Sequence, residues 1–476
     1  MKITYTIQKD AVPVRFIEGT LSRFTGAELL IGYGDKKELP RRKVVLLLRK
    51  VISIAKQHRL ASLLIEWREV RAVAAHGGSP IPLASDEDAT APLDDAALGE
   101  LLATAFVMAD YEFTTYKTPP KEGFARVEKV ALVGAPKDAQ RGVARGVVIG
   151  EGVNACRNLA NTPGGDITPK VLADAAKKAA KDSGAGTKIS IKILGRKEME
   201  KLGMGAVLGV ARGSVHEPQF IVMEYVGAGK SKPIVLVGKG VTFDTGGLNI
   251  KTDDHMYEMH LDMSGGAAVI HTVALAAKLK LKANVVGVVP AVENNLGDNA
   301  MRPGDILKSL SGKTIEVLNT DAEGRIILAD GITYAKRYNP SAVVDVATLT
   351  GASLVALGTQ ASAFMTNEGE LIPTVMRLAE HSGDYVWPMP AWEEYEVMTK
   401  GTFGDVPNIS TDGNSRYGGV IAGGMFLKEF AKDLGCPWVH IDMAPRMTPA
   451  SNEFLAKGAV GAPVRLLLAI VENGVE

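Results

Sequence analysis

Between residues 188 and 442 the chain repeatedly sets a short, unbroken apolar run against a stretch of helical character, and this alternation restricts the fold more than any other feature of the sequence. Lys188–Leu194, Phe220–Tyr225, Ile234–Val237, Asn284–Pro290, Thr314–Leu318, Ala342–Ala347 and Trp438–Asp442 read as strands. Helices are expected near Lys197–Lys201, over Ser264–Lys280 and over Ile326–Tyr338. A strand with one wet face alternates apolar and polar residues. These runs do not, so both faces of their sheet must be covered by helices. The expected class is α/β, with a mixed, mostly parallel central sheet flanked by helices.

At 476 residues the chain exceeds what one core supports, so two domains are expected. Residues 1–137 carry strand candidates at Ile3–Gln8, Leu29–Gly32, Ser62–Trp67 and Lys129–Val133, and a helix over Arg42–His58. Ala84–Ala97, rich in Asp, Ala and Pro, reads as a surface loop leading into a helix through Met108. Nothing in this smaller N-terminal α/β domain assembles a catalytic set, which suits an accessory or assembly role. A linking helix is expected over residues 138–162, ended by Asn161-Thr162-Pro163-Gly164-Gly165, and a catalytic domain over 163–476. That domain opens on a helix with Thr168 as N-cap and Pro169 in its first turn.

Lys plus Arg equal Asp plus Glu at 54 each, so no polyanion partner is expected. Cys156 and Cys436 are too few for a disulfide framework or a thiolate metal site. No apolar signal core follows Met1, and no apolar run approaches the roughly 20 residues that span a bilayer. The expectation is a soluble cytoplasmic protein that meets no membrane.

Chemistry concentrates in two segments. In Asn319-Thr320-Asp321-Ala322-Glu323-Gly324-Arg325, two carboxylates and a guanidinium occupy every second position between a strand-like and a helix-like run. If that link is extended, all three side chains project to one side. Upstream, Gly238-Lys239-Gly240-Val241-Thr242-Phe243-Asp244-Thr245-Gly246-Gly247 combines charges with glycines that permit tight turns. Lys251 and Asp262 follow. Four carboxylates (Asp244, Asp262, Asp321, Glu323) gathered in one domain repel each other strongly, and two divalent cations balance them. Carboxylate ligation without Cys or a His motif suits magnesium, manganese, or zinc in an oxygen-rich site. Lys239, beside two dications, can lose its proton and ligate through nitrogen.

Other catalytic frameworks are missing. There is no H-E-x-x-H and no G-x-S-x-G, and Gly227-Ala228-Gly229-Lys230-Ser231 is not a phosphate loop because Glu224 stands where its first glycine is needed.

The segments Val237–Gly247 and Asn319–Arg325, with Val344–Ala352 and His440–Ala444, resemble the leucyl (cytosol) aminopeptidase family over about residues 150–476. The resemblance implies a metal-dependent aminopeptidase that releases leucine and other apolar N-terminal residues from peptides, with broad preference, by a metal-bridged water. It implies two zinc or manganese ions per subunit. Asp244 and Glu323 bridge them, Lys239 and Asp262 complete one, and Asp321 completes the other. Lys251 and Arg325 are the implied catalytic side chains, with Arg325 also binding a bicarbonate ion as general base. The implied pocket for the first side chain comprises Met259, Thr348, Leu349, Gly351, Ala444 and Met447, and the implied assembly is a homohexamer. The chain departs from the family pattern after Asn408-Ile409, over Ser410–Gly419, and at Val460-Gly461-Ala462-Pro463, away from every implied ligand. Two rival readings are a two-metal phosphoesterase, whose chemistry the same carboxylates suit, and a DNA-binding architectural role.

Overall fold

The computed structural model describes all residues except 36–38, 75–92, 185–188, 414–416, 476 and the side chain at 253. By internal contact the chain divides into a first unit, Met1–Asn154 with Pro449–Gly458, and a second, Ala155–Thr448 with Ala459–Glu476. The cut falls within one continuous helix, Lys137–Ala160. The loop expected at Ala84–Ala97 lies outside the described residues as far as 92, and so do Asn414, Ser415 and Arg416. The expected helix beyond it runs over Asp95–Asp110, capped by Asp94, whose side chain accepts from the Ala97 N–H at 2.7 Å.

In the first unit, six strands are ordered Lys2–Thr4, Lys129–Val133, Ser62–Glu66, Val12–Ile17, Leu29–Gly32, Arg23–Phe24 among the described residues. All pair in parallel except the last. Helices Arg41–Gln57 and Asp95–Asp110 cover the sheet with Val51, Ile52, Leu98 and Phe106, all fully buried. Leu455 packs against this core, which explains why the short 449–458 segment belongs to it.

The second unit contains the expected sheet. Its order is Val386–Pro388, Ser362–Thr366, Trp438–Asp442, Ala342–Ala347, Ile234–Gly238, Asn284–Asn294, Gln219–Val226, Ile189–Leu194, with Gly240–Asp244 added beside Asn284–Asn294. The centre is parallel and the antiparallel pairs lie toward the edges. Every residue of Asn284–Asn294 and of Ala342–Ala347 is buried, as non-alternating apolar runs require. Helices Ser264–Lys278 and Glu323–Ala335 pack against these central strands.

In the first unit the strand expected over Ile3–Gln8 is only Lys2–Thr4. In the second unit two strands depart from expectation. The run from Asn284 was expected to stop at Pro290 but continues to Asn294. A proline lacks the ladder donor. Here pairing with Ile234–Gly238 ends at Val288 and pairing with Gly240–Asp244 begins at Ala291, while the antiparallel ladder to Gln219–Val226 runs on through Pro290. The break between those two partner strands is Lys239, so the proline faces the point where the neighbouring strand is interrupted. The second departure is Thr314–Leu318, of which only Thr314–Glu316 is strand. It belongs to a separate small sheet with Ile306–Lys308 and Val406–Pro407. The charged link therefore leads from that small sheet into a helix.

Candidate metal centre and active site

Lys239 sits at the interruption between the strands Ile234–Gly238 and Gly240–Asp244, with its backbone N–H on the Val346 carbonyl at 2.9 Å. Its side chain is buried. Nζ lies 2.7 Å from Asp262 Oδ2 and 2.9 Å from Glu323 Oε1, and donates to the Thr348 carbonyl at 2.9 Å. Gly324 makes this approach possible, because a Cβ there would stand 2.5 Å from Lys239 Cε.

Asp244 ends the second of those strands. Gly246 and Gly247, at φ +86° and +63°, then turn the chain back so that Lys251 Nζ comes 2.8 Å from Asp244 Oδ2 and also pairs with Asp321. Asp262 belongs to the 3-10 helix Met259–Met263 at the entrance to helix Ser264–Lys278. Oxygens of Asp244, Asp262 and Glu323 lie within 4.8 Å of one another, and all three residues are buried.

The extended-link expectation for Asp321, Glu323 and Arg325 does not hold. Helix begins at Glu323, so Glu323 and Arg325 are separated by two helical residues, about 200° around the axis. Asp321 meets Lys251 and Glu323 meets Lys239, while the Arg325 guanidinium, under the charges of Glu323 and Asp442, has Nη2 3.5 Å from where a Cβ on Gly423 would stand.

Three asparagines and a threonine absent from the expected site hold its halves together. Asn294 Nδ2 donates to Asp244 Oδ1 at 2.8 Å and to the Thr320 carbonyl at 3.0 Å, bridging the two charged segments. Thr320 Oγ1 donates to the Gly246 carbonyl at 2.6 Å and accepts from the Asn249 N–H at 2.8 Å, and Asn249 Oδ1 accepts from the Thr320 N–H at 2.8 Å. Asn408 brackets the turn before the helix: Oδ1 accepts from the N–H groups of Leu318 and Asn319, and Nδ2 donates to the carbonyls of Asn319 and Ala322. A lone Asn carries no sequence signal for such a task. Asn408 stands just before the stretch that departs from the family pattern, and its side chain is fully buried.

The electrostatics fit a cation site. Burial, reinforced by Asp244, pushes the Glu323 carboxyl up to about 8, and burial pushes Asp262 up to about 6. Burial and the neighbouring Asp244 also raise Asp321. Burial alone would lower the Lys239 and Lys251 ammonium groups, but the surrounding carboxylates outweigh it and raise both. Two ammonium groups leave two of the four carboxylate charges unbalanced, and Glu323 Oε2 is buried with no hydrogen-bond partner among the described residues. Hard, oxygen-liganded dications fit that donor set. Cations brought close to Lys239 would reverse the bias and favour its neutral amine.

Burial lowers the Arg325 guanidinium to about 10, against the opposing pull of Glu323 and Asp442, and its Nε has no hydrogen-bond partner among the described residues. A buried guanidinium with an unused edge suits a planar anion.

Of the six expected pocket residues, Thr348, Leu349 and Gly351 lie on the segment that follows strand Ala342–Ala347, and Ala444 and Met447 lie on the segment that follows Trp438–Asp442. Helix Gly351–Leu357 packs against the 3-10 helix Ala444–Arg446, bringing these two segments together. The Thr348 hydroxyl is committed to Asp262 Oδ1 at 2.6 Å. Met259 is half-buried on the 3-10 helix that packs against Gly240–Asp244.

Residues 154–468 match the catalytic domain of the cytosol aminopeptidase family. A probable cytosol aminopeptidase of Azoarcus sp. is 45% identical over 355 residues, covering 74% of this chain and 68% of the relative. Another, of Roseiflexus castenholzii, is 41% identical over 437 residues, covering 89% and 87%. Among solved structures, the bottromycin maturation enzyme BotP in complex with Mn superposes with a TM-score of 0.81 at 27% identity, covering 98% of this chain and 100% of that one. A tomato leucine aminopeptidase variant gives 0.80 at 29% identity, covering 95% and 83%. The buried carboxylate cluster and these matches lead to one conclusion: the chain belongs to the cytosol aminopeptidase family and is a metal-dependent aminopeptidase.

Proposed function

We propose that two divalent ions, zinc or manganese, are held by Asp244, Asp262, Asp321, Glu323 and the neutral amine of Lys239, and that the enzyme releases leucine and other apolar residues from peptides with a free N-terminus. The observation that carries this reading is the buried convergence of Asp244, Asp262 and Glu323 around Lys239. When bound, the ions supply a water of lowered pKa and a polarised carbonyl, and a bicarbonate ion on Arg325 supplies a general base. Lys251, kept cationic by Asp244, Glu323 and Asp321, stabilises the oxyanion as charge develops, worth on the order of 3 kcal/mol for one donor. Arg325 offers its unused edge to the planar anion. Met259, Thr348, Leu349, Gly351, Ala444 and Met447 receive the first side chain, and methionines in such a pocket favour broad preference.

The homohexamer rests on the family resemblance alone. A cytoplasmic location is supported by the name of the relatives, cytosol aminopeptidases, and by two cysteines that are free in the structure. No helix among the described residues is long and apolar enough to cross a membrane. Neither the phosphoesterase nor the DNA-binding reading finds support in the relatives. Hydrolysis of leucine p-nitroanilide is tested beside p-nitrophenyl phosphate with added manganese. The expected result is turnover of the anilide only, and turnover of the phosphate alone would sink the assignment.

A further inference from the structure

Asp442 ends the central strand Trp438–Asp442 and is fully buried, yet it belongs neither to the carboxylate cluster nor to the pocket set. Its two oxygens reach both segments that carry the expected pocket residues. Oδ1 accepts from the Leu349 N–H at 3.1 Å and from the Ala444 N–H at 3.2 Å. Oδ2 accepts from the Thr350 hydroxyl at 2.7 Å. Thr350 in turn caps helix Gly351–Leu357, its Oγ1 accepting from the Ser353 N–H at 3.1 Å. One carboxylate therefore fixes the start of that helix, the backbone of Leu349 and the backbone of Ala444.

The base of this brace is rigid. Asp442 pairs with Ala347 in the parallel ladder, and two residues earlier His440 pairs with Asp345. Trp438, His440 and Asp442 share one face of the strand. On that face His440 Nδ1 lies 2.6 Å from Asp345 Oδ1, and Trp438 Nε1 donates to Asp345 Oδ2 at 2.7 Å. All three bonding residues are buried, so the strand end cannot shift without breaking them. Asp442 is also one of the two carboxylates whose charge acts on buried Arg325.

We propose that Asp442 is a positioning residue that sets side-chain selectivity, by holding the 348–351 and 444–447 segments at a fixed separation across the pocket for the substrate's first side chain. This rests on the assignment of those segments to the pocket. Separation matters because a pocket that distinguishes aliphatic side chains gains only about 10–200-fold per methylene, and only if its walls close on the larger side chain. An alanine side chain is too short to sense them.

The test compares leucine and alanine p-nitroanilides on the manganese-loaded parent, Asp442→Asn and Thr350→Val, with metal content and thermal melting measured for each. The expected result is a leucine-to-alanine ratio of kcat/KM lower by about tenfold in Asp442→Asn and by less in Thr350→Val, carried by KM for leucine, with metal content unchanged. A merely structural role would depress both substrates together and leave the ratio intact. A ratio within about twofold of the parent in both variants overturns the proposal while leaving the pocket assignment standing. A parent enzyme without aminoacyl anilide hydrolysis overturns the pocket assignment itself. If Asp442→Asn does not fold, Thr350→Val decides by the same ratio.

Discussion

Asn294 bridges both charged segments through an uncharged amide, as Lys251 does through its ammonium group, so Asn294→Ala probes whether their meeting is held or incidental. The substitution deletes a hydrogen bond to the Asp244 carboxylate and another to the Thr320 carbonyl, in a side chain only 1% exposed. A bond to a charged group contributes about 1.5–3 kcal/mol, and a neutral bond about 0.5–1.5. The loss is therefore about 2–4 kcal/mol, because water does not reach the orphaned groups without rearrangement. If it falls on the geometry that binds metal, manganese affinity drops by roughly 30-fold to 1000-fold, at 1.4 kcal/mol per decade. The backbone carbonyl of Asn294, which accepts from Thr245, remains in place, so the strand itself is spared. Calorimetric titration of manganese into chelator-stripped protein, with thermal melts of the metal-free forms, separates affinity from stability. Manganese affinity within threefold of the parent, together with an unchanged melt, would refute the reasoning that this amide holds the site together.

Glu323→Ala is expected to abolish both metal retention and turnover, and a parent-like metal content by elemental analysis contradicts its ligand role. Lys251→Ala is expected to keep the metals and lose most of kcat, about 100-fold or more for one oxyanion donor, and steady-state kinetics on leucine p-nitroanilide checks this. Asp330 lies on the same helix as Glu323 and accepts from the N–H groups of Ala206, Val207 and Leu310; Asp330→Ala leaves these buried donors unpaired and is expected to cost about 2–5 kcal/mol in denaturant unfolding. Burial lowers the His440 imidazolium but Asp345 outweighs it, so its pKa is raised above the unfolded value. Its contribution is then full below about pH 6.5 and is lost as pH rises through the higher folded value. The stability gap between parent and His440→Gln should narrow from pH 6 to pH 9, and a gap that widens refutes the pairing.

The sequence by itself determined the layered α/β architecture, because unbroken apolar runs such as Ile234–Gly238 and Ala342–Ala347 have no stable place except inside a sheet covered on both faces. It also offered the candidate ligands, with Lys239, Asp244, Asp321 and Glu323 in two recognisable segments and Asp262 between them, and it placed local features such as the Thr168 cap, which accepts from the Val171 N–H. Tertiary structure alone decided how these groups are shared out. Whether Asp321, Glu323 and Arg325 project to one side depends on where the helix starts, and its start at Glu323 sets Arg325 about 200° around the axis from Glu323. Pro290 continues a central strand, opposite the break at Lys239 on one side and paired with Phe220 on the other, a fact held in no window of sequence around any of the three residues. The roles of Asn294, Asn408 and Asp442 arise from hydrogen bonds to backbone groups tens of residues away. Backbone partners have no residue identity to read, so only the folded chain reveals which amide or carboxylate they meet.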